Sequence, residues 1–99
     1  MRIIAVTACP TGIAHTYMAA EQLEKTARQL GHQIKVETQG AMGIENELSV
    51  EDIRAAELAI FAADIAVQKR ERFDNLKVIE VGVQEAIKNP AALFSRLAK

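Results

Sequence analysis

With one cysteine in the whole chain, an internal disulfide is impossible, and any thiol chemistry belongs to Cys9. An excess of either charge is also missing. Twelve Lys and Arg residues face thirteen Asp and Glu, so no electrostatic footprint points to nucleic acid or to an anionic membrane surface. No apolar run approaches the roughly 20 residues that span a bilayer. The one that follows Arg2 ends too soon for a signal peptide, which predicts a cytoplasmic chain with no direct membrane insertion. Any membrane step is left to another chain or domain. Neither a repeat nor a low-complexity tract appears. His32 has no cysteine or histidine nearby to suggest a metal site, and no cofactor is expected.

What the chain does have is 99 residues at 49% hydrophobic composition, enough for one domain with its own core. Two runs are apolar without alternation, Ile3-Ile4-Ala5-Val6 and Leu58-Ala59-Ile60-Phe61-Ala62-Ala63, as strands buried on both faces are. Gln33 to Thr38 alternates polar and apolar, which predicts a strand exposed on one face at a sheet edge. Lys77 to Val81 reads as a fourth strand. Between the first two, Met18, Ala19, Leu23, Ala27 and Leu30 recur at helical spacing over about Ala14 to Leu30, and Gly31 supplies the stop. Ser49 with Asp52 is a capping pattern for a short helix, and Ile65 to Asn75 reads as a short helix or loop. Asn89-Pro90 divides the last segment into helices over Val83–Lys88 and Pro90–Ala98. Gln39 to Gly43 reads as a turn, His32 as an exposed turn residue, and Lys69-Arg70-Glu71-Arg72 as a solvated face.

Strands alternating with helical segments imply an α/β fold: an open four-stranded parallel sheet, order 2-1-3-4, with helices on both faces in a Rossmann-like three-layer sandwich. Right-handed crossovers then reverse the winding between the first and third strands. The loop after the first strand lies at that switch point, where open α/β sheets bind ligands.

Cys9 begins this loop. The octapeptide Cys9-Pro10-Thr11-Gly12-Ile13-Ala14-His15-Thr16 puts a thiol at a strand end, then a glycine-bearing turn, then a helix start. Backbone N–H groups converge in such a geometry and stabilise an oxyanion or a thiolate. Pro10 contributes no N–H and fixes the turn, so donors come from Thr11 to Thr16, with Gly12 free to adopt positive φ. Thr11 and Thr16 add hydroxyls, although Thr16 equally suits a helix cap. His15 is either a donor to a bound oxyanion or a surface residue of the helix start. Core packing is the plain alternative for Cys9 itself.

Cysteine-dependent phosphatases have a similar outline, but an arginine stands where this chain has His15. Histidine does not reproduce the bidentate fork that grips a phosphoryl group, which favours handing the group onward over hydrolysis. The octapeptide, with Glu37-Thr38-Gln39-Gly40 and Ala62-Ala63-Asp64, resembles the fructose-type IIB component of the bacterial sugar phosphotransferase system, and the similarity runs over essentially all 99 residues.

The resemblance implies a single IIB domain over residues 1–99. Its Cys9 takes a phosphoryl group from a phosphohistidine on a IIA domain and passes it to a sugar entering through a membrane IIC domain at the inner face of the membrane. Residues 10 to 16 would form the cradle. Fructose is the first expectation for the sugar, with mannitol, mannose or a related sugar in reserve. Two rivals stand beside it. A small cysteine phosphatase would need an acidic partner, for which Asp64 is the candidate, and a regulatory binding module would carry an inert thiol.

Overall fold

The computed structural model describes residues 1–9, 13–41 and 43–96. Its strands are β1 (Arg2–Ala8), β2 (Gln33–Gly40), β3 (Gly43–Glu45), β4 (Leu58–Ala63) and β5 (Val78–Val81). The helices are α1 (Ile13–Gln29), α2 (Val50–Ala55), α3 (Val83–Lys88) and α4 (Pro90–Ser95), with a 3₁₀ turn over Arg70–Phe73. Both non-alternating runs are central: β1 pairs in parallel with β2 on one side and β4 on the other, and β5 lies beyond β4.

The sheet order is β3-β2-β1-β4-β5. The four parallel strands therefore follow the expected 2-1-3-4 sequence, but the sheet has five strands. The extra one, β3, pairs antiparallel with Thr38 to Gly40. It is too short to show a period, and the reversal depends on Gly43, whose φ of +89° an L side chain adopts with difficulty. Over Thr38 to Gly40 β2 is therefore covered, while Gln33 to Glu37 keep the sheet edge its alternation suggested. Gln39, Gly40 and Gly43 belong to the paired strands instead of a free turn, while Met42 lies outside the described residues.

Two apolar layers cover the sheet. Ile3, Ala5, Cys9, Val36 and Ile60 pack with Ala19, Leu23 and Ala27 of α1 and with Leu93 and Phe94 of α4. On the other face Ile4, Val6 and Phe61 pack with Leu48 and Phe73, and half-buried Ile53 of α2 closes over them. Alternate residues of β1 thus feed opposite layers. On α1 the buried stripe is Ala19, Ala20, Leu23 and Ala27; Met18 and Leu30, expected on that stripe, are exposed because they fall outside the arc that meets the sheet.

Helix starts follow the sequence signals, while α4 ends at Ser95 and Ala98, its expected end, lies outside the described residues. Ser49 and Asp52 form a complete capping box at α2, and α3 and α4 are separate helices with Pro90 opening the second. Past α1, Gly31 has φ of +81°, and the His32 and Gly31 amides donate to the Ala27 and Arg28 carbonyls at 2.9 and 3.1 Å. This is the Schellman closure that favours glycine. His32 is half-buried and stacks on Phe94 with ring centroids 6.1 Å apart, contrary to the exposed turn expected of it.

Candidate functional site

Because β1, β2, β4 and β5 are parallel, their carboxyl ends share one rim of the sheet. The chain leaves β1 toward β2 on one side and later returns to β4 on the other, so the switch point lies between β1 and β4 at that rim. Cys9 follows β1 directly there and is only 4% exposed, its side chain within the layer that α1 covers. Pro10, Thr11 and Gly12, expected to form the turn of the cradle, lie outside the described residues.

Ile13, Ala14 and His15 form the first turn of α1, whose amides have no carbonyl four residues earlier within the helix. No acidic side chain stands in that turn. The positive end of a 17-residue helix is therefore not offset by a carboxylate of its own. Ala14 and His15 are exposed, whereas Thr16 is buried. With the helix beginning at Ile13, Thr16 sits inside it and is not its cap; its carbonyl accepts the Thr7 hydroxyl at 3.1 Å, tying α1 to β1.

Asp64 directly follows β4 on the same rim and is exposed. Its amide donates to the Ala8 carbonyl at 2.9 Å, and its Oδ1 accepts the Val83 amide at 3.1 Å, capping α3. A carboxylate held this way is occupied in joining β4 to α3, which weighs against its use as a general acid.

Sequence reasoning missed a buried polar cluster beside β2. Glu37 is 0% exposed, yet Arg72 grips it with both terminal nitrogens at 2.9 and 3.0 Å, the Leu48 amide donates at 2.9 Å and Gln39 Nε2 at 2.7 Å. Burial pushes the Glu37 carboxyl up. Hydrogen bonds from Arg72, Leu48 and Gln39 outweigh that and hold it below its ordinary value. Gln39 also accepts from the Gln68 amide at 2.8 Å, and Arg72 Nε donates to the Lys69 carbonyl at 2.9 Å. The segment after β4 is thereby fastened across β2. The expected solvated face at Lys69 to Arg72 holds for exposed Lys69 and Arg70 but fails at Arg72, whose side chain is 17% exposed. Glu37 and Gln39 fall on the polar phase of the β2 alternation, so periodicity alone assigns them to water. Their cover is supplied by residues far along the chain.

Thr38, between them, faces the opposite layer. It is 3% exposed, and its Oγ1 is buried with no hydrogen-bond partner among the described residues. An unsatisfied buried hydroxyl costs about 1–3 kcal/mol. No group of three or more His, Cys, Asp or Glu suited to a metal ion occurs among the described residues, and no described helix is long and apolar enough to cross a membrane.

Comparison with known proteins gives the arrangement its family. The family described as "PTS system, Lactose/Cellobiose specific IIB subunit" matches residues 4–96. "PTS system fructose-like EIIB component 2" of Escherichia coli (strain K12) is 48% identical over 96 residues, spanning 97% of this chain and 91% of that protein. The "Fructose-like PTS system EIIBC component" of the same organism is 52% identical over 99 residues, 98% of this chain but 20% of that longer protein. A crystal structure of a domain from the fructose-specific IIABC component of Borrelia burgdorferi superposes with a TM-score of 0.90 at 44% identity, covering 95% of this chain and 89% of that domain. A thiol at the switch point, on a fold shared with these proteins along nearly its full length, makes this chain a member of the phosphotransferase-system IIB family, of the fructose-like kind.

Proposed function

We propose that Cys9 is the phosphoryl carrier of this IIB domain, receiving the group from a phosphohistidine on a IIA domain and delivering it to a sugar held by a membrane IIC domain. The observation that carries the reading is the position of the chain's sole cysteine, at the end of β1 and just ahead of a long helix with no acid in its first turn. In the first half-reaction the Cys9 thiolate attacks phosphorus. An S–P bond forms as the N–P bond breaks, and the electron pair remains on the imidazole nitrogen. In the second, a sugar hydroxyl oxygen attacks phosphorus, the S–P pair returns to Cys9, and the hydroxyl proton leaves to a base on the acceptor side.

The carried group brings about −1.5 to −2 charge, which the positive end of α1 offsets in part. Residues 10 to 16 form the cradle in this reading, with Pro10 fixing the turn, the amides of Thr11, Gly12, Ile13, Ala14, His15 and Thr16 as donors, and the exposed His15 placed to meet a partner or an oxyanion. The fusion of a relative's IIB portion into an EIIBC protein supports a IIC partner, and the IIABC description of the structural neighbour supports a IIA donor. Fructose or a closely related sugar is the substrate these names favour. The domain spans residues 1–99 and works on the cytoplasmic side, meeting the membrane through IIC. Against a phosphatase reading stands the engagement of Asp64 Oδ1 by the Val83 amide.

Incubation with a phosphorylated fructose-type IIA domain, followed by mass spectrometry, tests the assignment. Phosphate on Cys9, and none taken up by Cys9→Ser, is the expected result. Phosphate on His15 or His32 would overturn it.

A further inference from the structure

We propose that the Thr38 hydroxyl is a ligand of the phosphoryl group carried on Cys9, donating its O–H to one phosphoryl oxygen; the proposal rests on the phosphocysteine reading above. In the register of the sheet Thr38 stands opposite Thr7, and Cys9 follows two residues after Thr7. Side chains two apart on a strand share a face, so Thr7, Cys9 and Thr38 all point into the layer under α1. Cys9 and Val36 are both members of that layer.

The polar groups around Thr38 are otherwise engaged. Thr7 donates to the Thr16 carbonyl, and Glu37 and Gln39 are bonded within the opposite cluster. Thr38 Oγ1 alone among these is buried without a partner. A valine has the same shape, suits a strand equally well and would leave no unsatisfied hydroxyl. The hydroxyl therefore has no structural task in the unphosphorylated chain. A strand rises about 3.3 Å per residue, and neighbouring strands lie about 4.8 Å apart, so Cys9 lies diagonally across from Thr38. A phosphoryl group on Sγ extends into that diagonal and brings an acceptor oxygen to the hydroxyl. His32 Nδ1, the other buried side-chain atom without a partner among the described residues, precedes β2 at the opposite rim of the sheet from Cys9.

The wild-type chain, Thr38→Val and Thr38→Ser are each exposed to a phosphorylated fructose-type IIA domain, and phosphocysteine is followed by its rate of formation and by phosphorus NMR. Thr38→Val is expected to melt no lower than wild type when unphosphorylated, to acquire phosphate about tenfold more slowly, equivalent to about 1.4 kcal/mol, and to show a displaced phosphorus resonance. Thr38→Ser restores rate and resonance. In the wild-type chain itself, phosphorylation slows exchange of the Thr38 hydroxyl proton and couples it to phosphorus, a measurement that needs no variant. Label on Cys9 with rate and resonance unchanged in Thr38→Val overturns the role of Thr38 alone. So does an uncoupled, freely exchanging hydroxyl proton in the phosphorylated wild type. Absence of label from wild-type Cys9 overturns the carrier reading on which this one stands.

Discussion

Replacing Arg72 by methionine keeps much of the volume and removes the cation that faces Glu37. The carboxylate left behind is fully buried and retains two donors, the Leu48 amide and Gln39, where it had a bidentate guanidinium as well. Removing one partner of a buried ion pair typically costs about 3–5 kcal/mol, a large share of the roughly 5–15 kcal/mol that holds a domain together. For a domain of this length the lower figure lowers the melting temperature by about 12 °C or more.

The pH dependence distinguishes this cause from lost packing. In the wild-type chain the Glu37 carboxyl sits below its ordinary value of 4.5, so the contribution of the pair is complete above that pH and is lost as pH falls through the lower folded value. Without Arg72, burial is opposed only by the Leu48 and Gln39 hydrogen bonds, and the folded value rises. The penalty then fades as acid protonates Glu37. Urea unfolding of both proteins between pH 7 and pH 4 should show a gap that is widest at pH 7 and narrows steadily. Adding Glu37→Leu to Arg72→Met should recover most of the loss, since neither buried charge then remains. A loss under about 1 kcal/mol, or a gap independent of pH, would refute the reasoning.

Ser49→Ala removes the hydroxyl that accepts the Asp52 amide at 3.1 Å and should cost about 1 kcal/mol in chemical denaturation; no change would mean the box is not holding α2. Leu23→Ala opens a cavity under the middle of α1 and should cost about 2–5 kcal/mol by the same measurement. Gly31→Ala meets nothing within 4 Å but must hold φ of +81°, so a loss of about 1–2 kcal/mol is expected, and a stabilised variant would contradict the Schellman assignment. His15→Ala should slow phosphoryl transfer from IIA without abolishing it. An unchanged rate would assign His15 to the helix surface.

The parts of the fold written in local pattern were legible from the sequence. Unbroken apolar runs identified β1 and β4 as central, and the Ser49–Asp52 and Asn89–Pro90 signatures located the starts of α2 and α4. The parallel order and the place of Cys9 at the switch point followed from those runs and from the handedness of crossovers. What escaped was non-local. β3 is held by its pairing with β2 and by one glycine turn, and it carries no period of its own. Glu37 and Gln39 read as solvent-facing because their phase of β2 is polar, and nothing near them in sequence announces Arg72, 35 residues later, as their cover. Thr38 could have been noticed as a hydroxyl on the apolar phase of its strand. Its lack of a partner is visible only once the layers are assembled.

The distribution of strand lengths also bears on how the molecule behaves among copies of itself. The outermost strands, β3 and β5, have three and four residues, while β1, with seven, has neighbours on both sides. Beyond the reach of β3, the outer margin of β2 from Gln33 to Val36 carries exposed Lys35, whose ammonium is held by Asp52 at 2.8 Å. Short margins and a lysine on the longer one offer little template for edge-to-edge pairing. Part of that blunting comes from the same three-residue strand that gave no sign of itself in the sequence.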